Sequence, residues 1–121
     1  MTSNANKIFN DIISCEIGSY MTTYGPDRAV ITISNLLKLN PEFTKYKMRK
    51  ALKELRTDGL IEYTSQGCPA VESMGEYREL IYEAGPPING YALTKKGFKS
   101  DIFKTRYKEW EKSLEEWANG Y

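Results

Sequence analysis

The apolar positions along the chain fall into helix-like and strand-like periods, divided by clusters of turn residues. Ile8, Phe9, Ile12, Ile13, Ile17 and Tyr20 share one broad face at helical spacing, predicting a first helix capped by Ser3 or Asn4 and running to about residue 21. Gly25-Pro26-Asp27 stops it, and 29–31 reads as a short extended run. Thr32 then caps a helix over 33–39, which ends before Asn40-Pro41 because the residue preceding a proline is pushed out of the α region. Thr44 caps the next helix, 45–58, and Gly59 stands where a left-handed closing residue is wanted, with Leu60 as its apolar contact. Residues 60–64 and 90–94 read as two strands that pair. Between them, 65–89 reads as an irregular insertion with one extra strand at 79–82. A long last helix over about 95–118 carries Phe98, Ile102, Phe103, Tyr107, Trp110, Leu114 and Trp117.

This order predicts an α+β, mostly helical fold in one domain spanning 1–121. Two short helices joined by a tight turn and followed by a β-hairpin make a winged helix-turn-helix, here with a long inserted wing and a long C-terminal helix. Three segments carry a resemblance at residue level: Thr32-Ile33-Ser34-Asn35-Leu36-Leu37, the run from Thr44 through Met48, Leu52 and Leu55 to Gly59-Leu60-Ile61, and Gly90-Tyr91-Ala92-Leu93-Thr94-Lys95-Lys96-Gly97. Together they resemble the first helix, recognition helix, wing strands and closing-helix start of PadR-like and MarR-like transcriptional regulators. The resemblance covers about 30–98 and implies sequence-specific binding of double-stranded DNA; winged helices also serve as protein-interaction modules.

The 45–58 helix has the chemistry for DNA on its outer side. Advancing 100° per residue from Met48 places Ala51, Leu52 and Leu55 within about 60° of it, a core stripe. The other side carries Tyr46, Lys50, Lys53 and Thr57, flanked by Arg49 and Glu54. Between Thr44 and Thr57 stand six bases (Lys45, Lys47, Arg49, Lys50, Lys53, Arg56) and one acid, Glu54, a local charge of +5. Lysine and arginine neutralise phosphates, and side chains near the helix start reach base edges in the major groove. Lys45, Tyr46, Arg49, Lys50, Lys53 and Thr57 are the candidate contacts, Arg49 being the best matched to guanine O6 and N7. Thr32, Ser34 and Thr44 are candidates for phosphate contacts at helix starts, as are Lys95 and Lys96 beyond the second strand. A lysine-rich outer face is also what an ordinary solvated helix shows.

Charge sharpens the picture only when divided along the chain. The total is +1, from 17 Lys and Arg against 16 Asp and Glu, which says nothing about an anionic partner. By segment it is +3 for 1–60, −4 for 61–90 and +2 for 91–121. The −4 comes from Glu62, Glu72, Glu76, Glu79 and Glu83 against Arg78, so the insertion suits a protein- or ligand-facing surface, or a plain solvated loop, better than a minor groove. Apolar residues at 40% and charged residues at 27% are ordinary for a globular chain. The absence of histidine excludes Ser-His-Asp and Cys-His catalysis and His-ligated zinc. Cys15 and Cys68 do not make a CxxC motif and are expected as free thiols in a reducing cytoplasm, since no signal pattern or membrane-length apolar run is present.

Phe103, Trp110, Leu114 and Trp117 on the last helix read either as packing against the first helix or as a homodimer seam. The resemblance favours the seam, because related regulators pair through terminal helices and DNA half-sites suit two-fold partners. A rival function is an interaction module, of the kind a mobile genetic element carries, that binds another protein through the acidic insertion. A third is an effector sensor whose Tyr77, Tyr82 and Trp110 line a pocket. Glu72, Glu76, Glu79 and Glu83 recur at helical spacing, yet no phosphate loop or nucleophile motif names a reaction, so no enzyme, metal or cofactor is expected.

Overall fold

The computed structural model describes residues 1–20, 28–66, 71–74, 80–83 and 88–120, with 66, 71–74 and 80–83 described by backbone alone. The elements are α1 (Ser3–Ser19), α2 (Ile33–Leu39), α3 (Lys45–Thr57), β1 (Ile61–Gln66), β2 (Val71–Met74), β3 (Leu80–Glu83), β4 (Ile88–Leu93), α4 (Lys95–Phe98) and α5 (Asp101–Asn119). The fold is α+β and mostly helical. Among the described residues no helix is long and apolar enough to cross a membrane.

The core is built by α1 and α3 crossing over the base of the β1–β4 hairpin. Ala5, Ile8, Phe9, Ile12, Ile13 and Ile17 of α1 meet Met48, Ala51, Leu52 and Leu55 of α3, with Leu36, Ile61, Leu93 and Phe103 closing the cluster. Each fully buried Leu, Ile, Met or Phe in it contributes roughly 1.5–3 kcal/mol of transfer free energy. The stripe expected on α3 is therefore the buried one. Its end is a Schellman cap: Leu60 N–H reaches Leu55 C=O at 3.0 Å and Gly59 N–H reaches Arg56 C=O at 3.0 Å. Gly59 takes φ +75°, which a side-chain-bearing residue adopts only at a cost.

β1 and β4 pair as expected, antiparallel with Ile61 opposite Leu93 and Tyr63 opposite Tyr91. The run before α2 joins them through Ile31, whose N–H and C=O exchange hydrogen bonds with Tyr91 at 2.9 and 2.8 Å. Gly90 makes that approach available, because a Cβ there would lie 2.4 Å from the Ile31 carbonyl oxygen.

Several boundaries differ from the sequence expectation. The helix expected over 95–118 is two: Ser100 adopts extended backbone and its hydroxyl accepts from Phe103 N–H, capping α5 afresh after the four-residue α4. The break turns the chain so that Phe98 and Phe103 meet edge to face, 5.2 Å between centroids. The insertion is shorter than 65–89, since β1 extends to Gln66 and β4 begins at Ile88. The strand expected at 79–82 is β3, Leu80–Glu83, and it pairs with an unexpected β2, Val71 opposite Glu83. Thr2, not Ser3 or Asn4, caps α1 by accepting from Ala5 N–H. Tyr20, expected on the buried face, is 41% exposed. Cys68, Tyr77 and Arg78 lie outside the described residues, and the side chains of Glu72 and Tyr82 are not described.

Two polar groups expected on no face at all are buried. Asn40, fully covered, donates through Nδ2 to Leu36 C=O (2.9 Å) and Asp11 Oδ2 (2.7 Å), and its own C=O accepts from Phe43 N–H at 2.9 Å. It pins the α2–α3 turn to α1. Glu16 accepts from Ala29 N–H (3.3 Å) and Ser19 O–H (3.1 Å), tying the end of α1 to the segment that leads into α2. Burial raises its carboxyl above the usual range, against the opposing pull of Ser19, the Ala29 N–H and Arg28.

Candidate nucleic-acid interface

With its apolar stripe against α1, α3 turns every one of its bases to solvent. Lys45, Lys47, Arg49, Lys50, Lys53 and Arg56 are all exposed, and Tyr46 stands out at 74%. Thr44 holds the first turn open by accepting from Lys47 N–H at 3.1 Å. Thr57, at the other end, donates its hydroxyl to Lys53 C=O at 2.8 Å. Glu54, the single acid of α3, is half-buried and turned toward α1, where its Oε2 accepts from Thr2 Oγ1 (2.8 Å) and Thr2 N–H (3.3 Å). The cations of this face therefore meet no ion-pair partner among the described residues, where the ion pairs are Lys7 with Glu42 and Arg28 with Glu62. That is the arrangement a polyanion requires: cations without internal acceptors on a rigid, exposed rod.

The outlying candidates divide. Ser34 is exposed on the first turn of α2, while the Thr32 hydroxyl accepts from Asn35 N–H at 3.2 Å as the cap of that helix. Lys95 is exposed beside a cavity of about 390 Å³ that Arg28, Val30, Thr64 and Phe98 also line. Lys96 donates through Nζ to Asp58 C=O at 2.7 Å, so it serves the C-terminal end of α3, where a cation is favoured by the helix dipole. On the neighbouring hairpin Tyr63, 54% exposed, stands edge-on to Tyr91 with centroids 5.2 Å apart.

Residues not singled out as contacts by the sequence border the same face. Thr2, the cap of α1, and Asn4 in its first turn line a groove of about 360 Å³ with Thr44, Tyr46, Lys47, Lys50 and Glu54. Lys47 was countable as charge, but its place beside α1 in this groove depends on a helix crossing that local periodicity does not encode.

The aromatic residues of α5 are unequally placed. Phe103 lies in the chain's own core, stacked on Tyr107. Trp110 is half-buried, 5.7 Å from Tyr20 and 5.5 Å from Tyr107 between ring centroids. Burial, and then the Glu16 charge, pushes the Tyr20 phenol up to about 12, so it stays a neutral ring. Leu114 is half-buried and Trp117 is 70% exposed. Cys15 is half-buried with its thiol raised by burial and by Glu16, a poor nucleophile. Among the described residues no group of three His, Cys, Asp or Glu side chains is placed to hold a metal ion.

No family model matches this chain, and no curated protein or solved structure matches it either.

Proposed function

We propose that this chain is a winged-helix protein that binds double-stranded DNA in the major groove through α3 and regulates transcription by occupying an operator. The observation that carries this is the outer face of α3: six exposed cations opposite a buried apolar stripe, with the one acid held by Thr2. The element order supports it, since α1, the Ile31 segment, α2, α3 and the β1–β4 hairpin follow the winged helix-turn-helix sequence. Arg49, Lys50 and Tyr46 reach base edges, while Lys45 and Lys53 hold phosphates. Leu114 and Trp117 of α5 are the surface through which two copies pair, which matches a two-fold operator.

The test is Lys50→Glu combined with Lys53→Glu, both on exposed positions outside the core. It lowers the charge of the 44–57 run from +5 to +1, and duplex affinity should fall roughly a hundredfold, about 1.4 kcal/mol per reversed contact. Unchanged affinity in a folded double variant refutes the assignment.

A second reading draws on the insertion. It carries a hairpin of its own, β2 with β3, in the segment of charge −4, and a protein partner with a basic surface would dock there. A chain that binds no duplex at low salt but captures such a partner would favour this reading.

A further inference from the structure

We infer that one backbone phosphodiester of the bound duplex seats in the groove between α1 and α3, held by Asn4 together with Lys47 and Lys50. The inference rests on the reading of α3 as the DNA-contact helix and adds α1 to the contact surface.

The groove's walls are mostly apolar side-chain surface, and the polar groups among its lining residues are led by two lysines. Its walls present two ammonium groups (Lys47, Lys50), the Asn4 amide, the Tyr46 phenol and the Thr44 hydroxyl. Among the described residues the Asn4, Tyr46, Lys47 and Lys50 side chains have no hydrogen-bond or ion-pair partner. The Thr44 oxygen already accepts from Lys47 N–H, which leaves its O–H to give. The groove's one carboxylate, Glu54, is answered by Thr2 through two hydrogen bonds to Oε2. What is missing is an acceptor that brings no donors of its own and carries a negative charge. A phosphodiester fits that description: two non-bridging oxygens, one charge, no hydrogen to give.

Continuity selects a strand of the duplex as its source. Tyr46 and Lys50 line the groove and belong to the outer face of α3, so a helix laid in the major groove brings the flanking backbone over this opening. Thr2 has a separate part. By engaging Glu54 it keeps the one anion of α3 from pairing with Lys50, which stands one helical turn away.

The experiment compares single variants of the full chain on one duplex at fixed salt. Asn4→Asp places a carboxylate in the groove on an exposed first-turn position, where an acid favours the helix, so melting should be unchanged or higher. Its duplex affinity should fall roughly tenfold. Ser3→Asp adds the same charge one residue away, outside the groove, and should stay within about threefold of the parent. Glu54→Gln, which keeps an acceptor for Thr2, should bind severalfold tighter.

An Asn4→Asp variant that binds like the parent, while the Lys50→Glu and Lys53→Glu pair still loses its roughly hundredfold in affinity, overturns the seat and leaves the α3 reading standing. Equal losses in Ser3→Asp and Asn4→Asp overturn it too, since the effect is then long-range charge. If the lysine reversals do nothing, the α3 reading itself fails. Inorganic phosphate should leave the Asn4 side-chain amide NMR signals in place; a saturable shift by phosphate alone would assign the groove to a free anion instead.

Discussion

Gly90→Ala probes the joint that brings the Ile31 segment onto the β1–β4 hairpin. An added Cβ would stand 2.4 Å from the Ile31 carbonyl oxygen, 2.7 Å from its carbon and 2.9 Å from Val30 Cγ1. The first two are backbone atoms and do not swing aside. Restoring ordinary contact means moving the Ile31 strand about 1 Å, which breaks or stretches the paired hydrogen bonds between Ile31 and Tyr91, now 2.9 and 2.8 Å. Each is worth roughly 0.5–1.5 kcal/mol net, and loosening buried Ile31 adds about 1 kcal/mol. The lower chain entropy of unfolded alanine returns about 0.5 kcal/mol, leaving a net loss of about 2–3 kcal/mol, or roughly 10 °C in Tm. Urea unfolding followed by circular dichroism measures it. Gly18→Ala is the control: it lies in α1 with nothing within 4 Å of its added Cβ, and should stabilise by about 0.5 kcal/mol. A Gly90→Ala variant within 0.5 kcal/mol of the parent would refute the close approach.

Glu16 gives a pH prediction. Its folded carboxyl is raised above the ordinary value by burial, so in that window the folded state holds more protons than the unfolded one, and stability falls as pH climbs through it. Glu16→Gln removes this dependence, so its advantage over the parent should grow from about pH 4 to neutrality; a gap that stays constant or shrinks contradicts it. Trp117→Glu, at a position 70% exposed, should halve the mass measured by light scattering while leaving helix content unchanged. The same mass in parent and variant removes Trp117 from the seam.

Much of the scaffold was legible because it is encoded locally. The Thr32 and Thr44 caps, the Gly59 cap and the Met48, Ala51, Leu52 and Leu55 stripe depend on neighbours within a turn or two, and each is found where periodicity puts it. The pairing of the strands at 60–64 and 90–94 was likewise legible in two short apolar runs bounded by turn residues. What escaped was set by distant partners. Ser100 breaks the last helix with a cap that the apolar periodicity running from Phe98 to Phe103 masked, and the two rings meet across the break. Asn40 and Glu16 carry no local sign of burial, because the groups that share their hydrogen bonds come from other segments of the chain. The groove beside Lys47 is of the same kind, for its Asn4 wall arrives from the far end of α1.

The salt dependence of duplex binding tests the central claim most directly. Titrating a labelled duplex of random sequence between 50 and 300 mM salt gives the slope of log K against log salt, which reports how many phosphates are neutralised. Five or six contacts from the cationic face of α3 predict a slope near −5, reduced by about 2 when Lys50 and Lys53 are reversed. A slope near zero, or one that the double reversal leaves unchanged, would contradict the assignment of α3 as the DNA-binding helix.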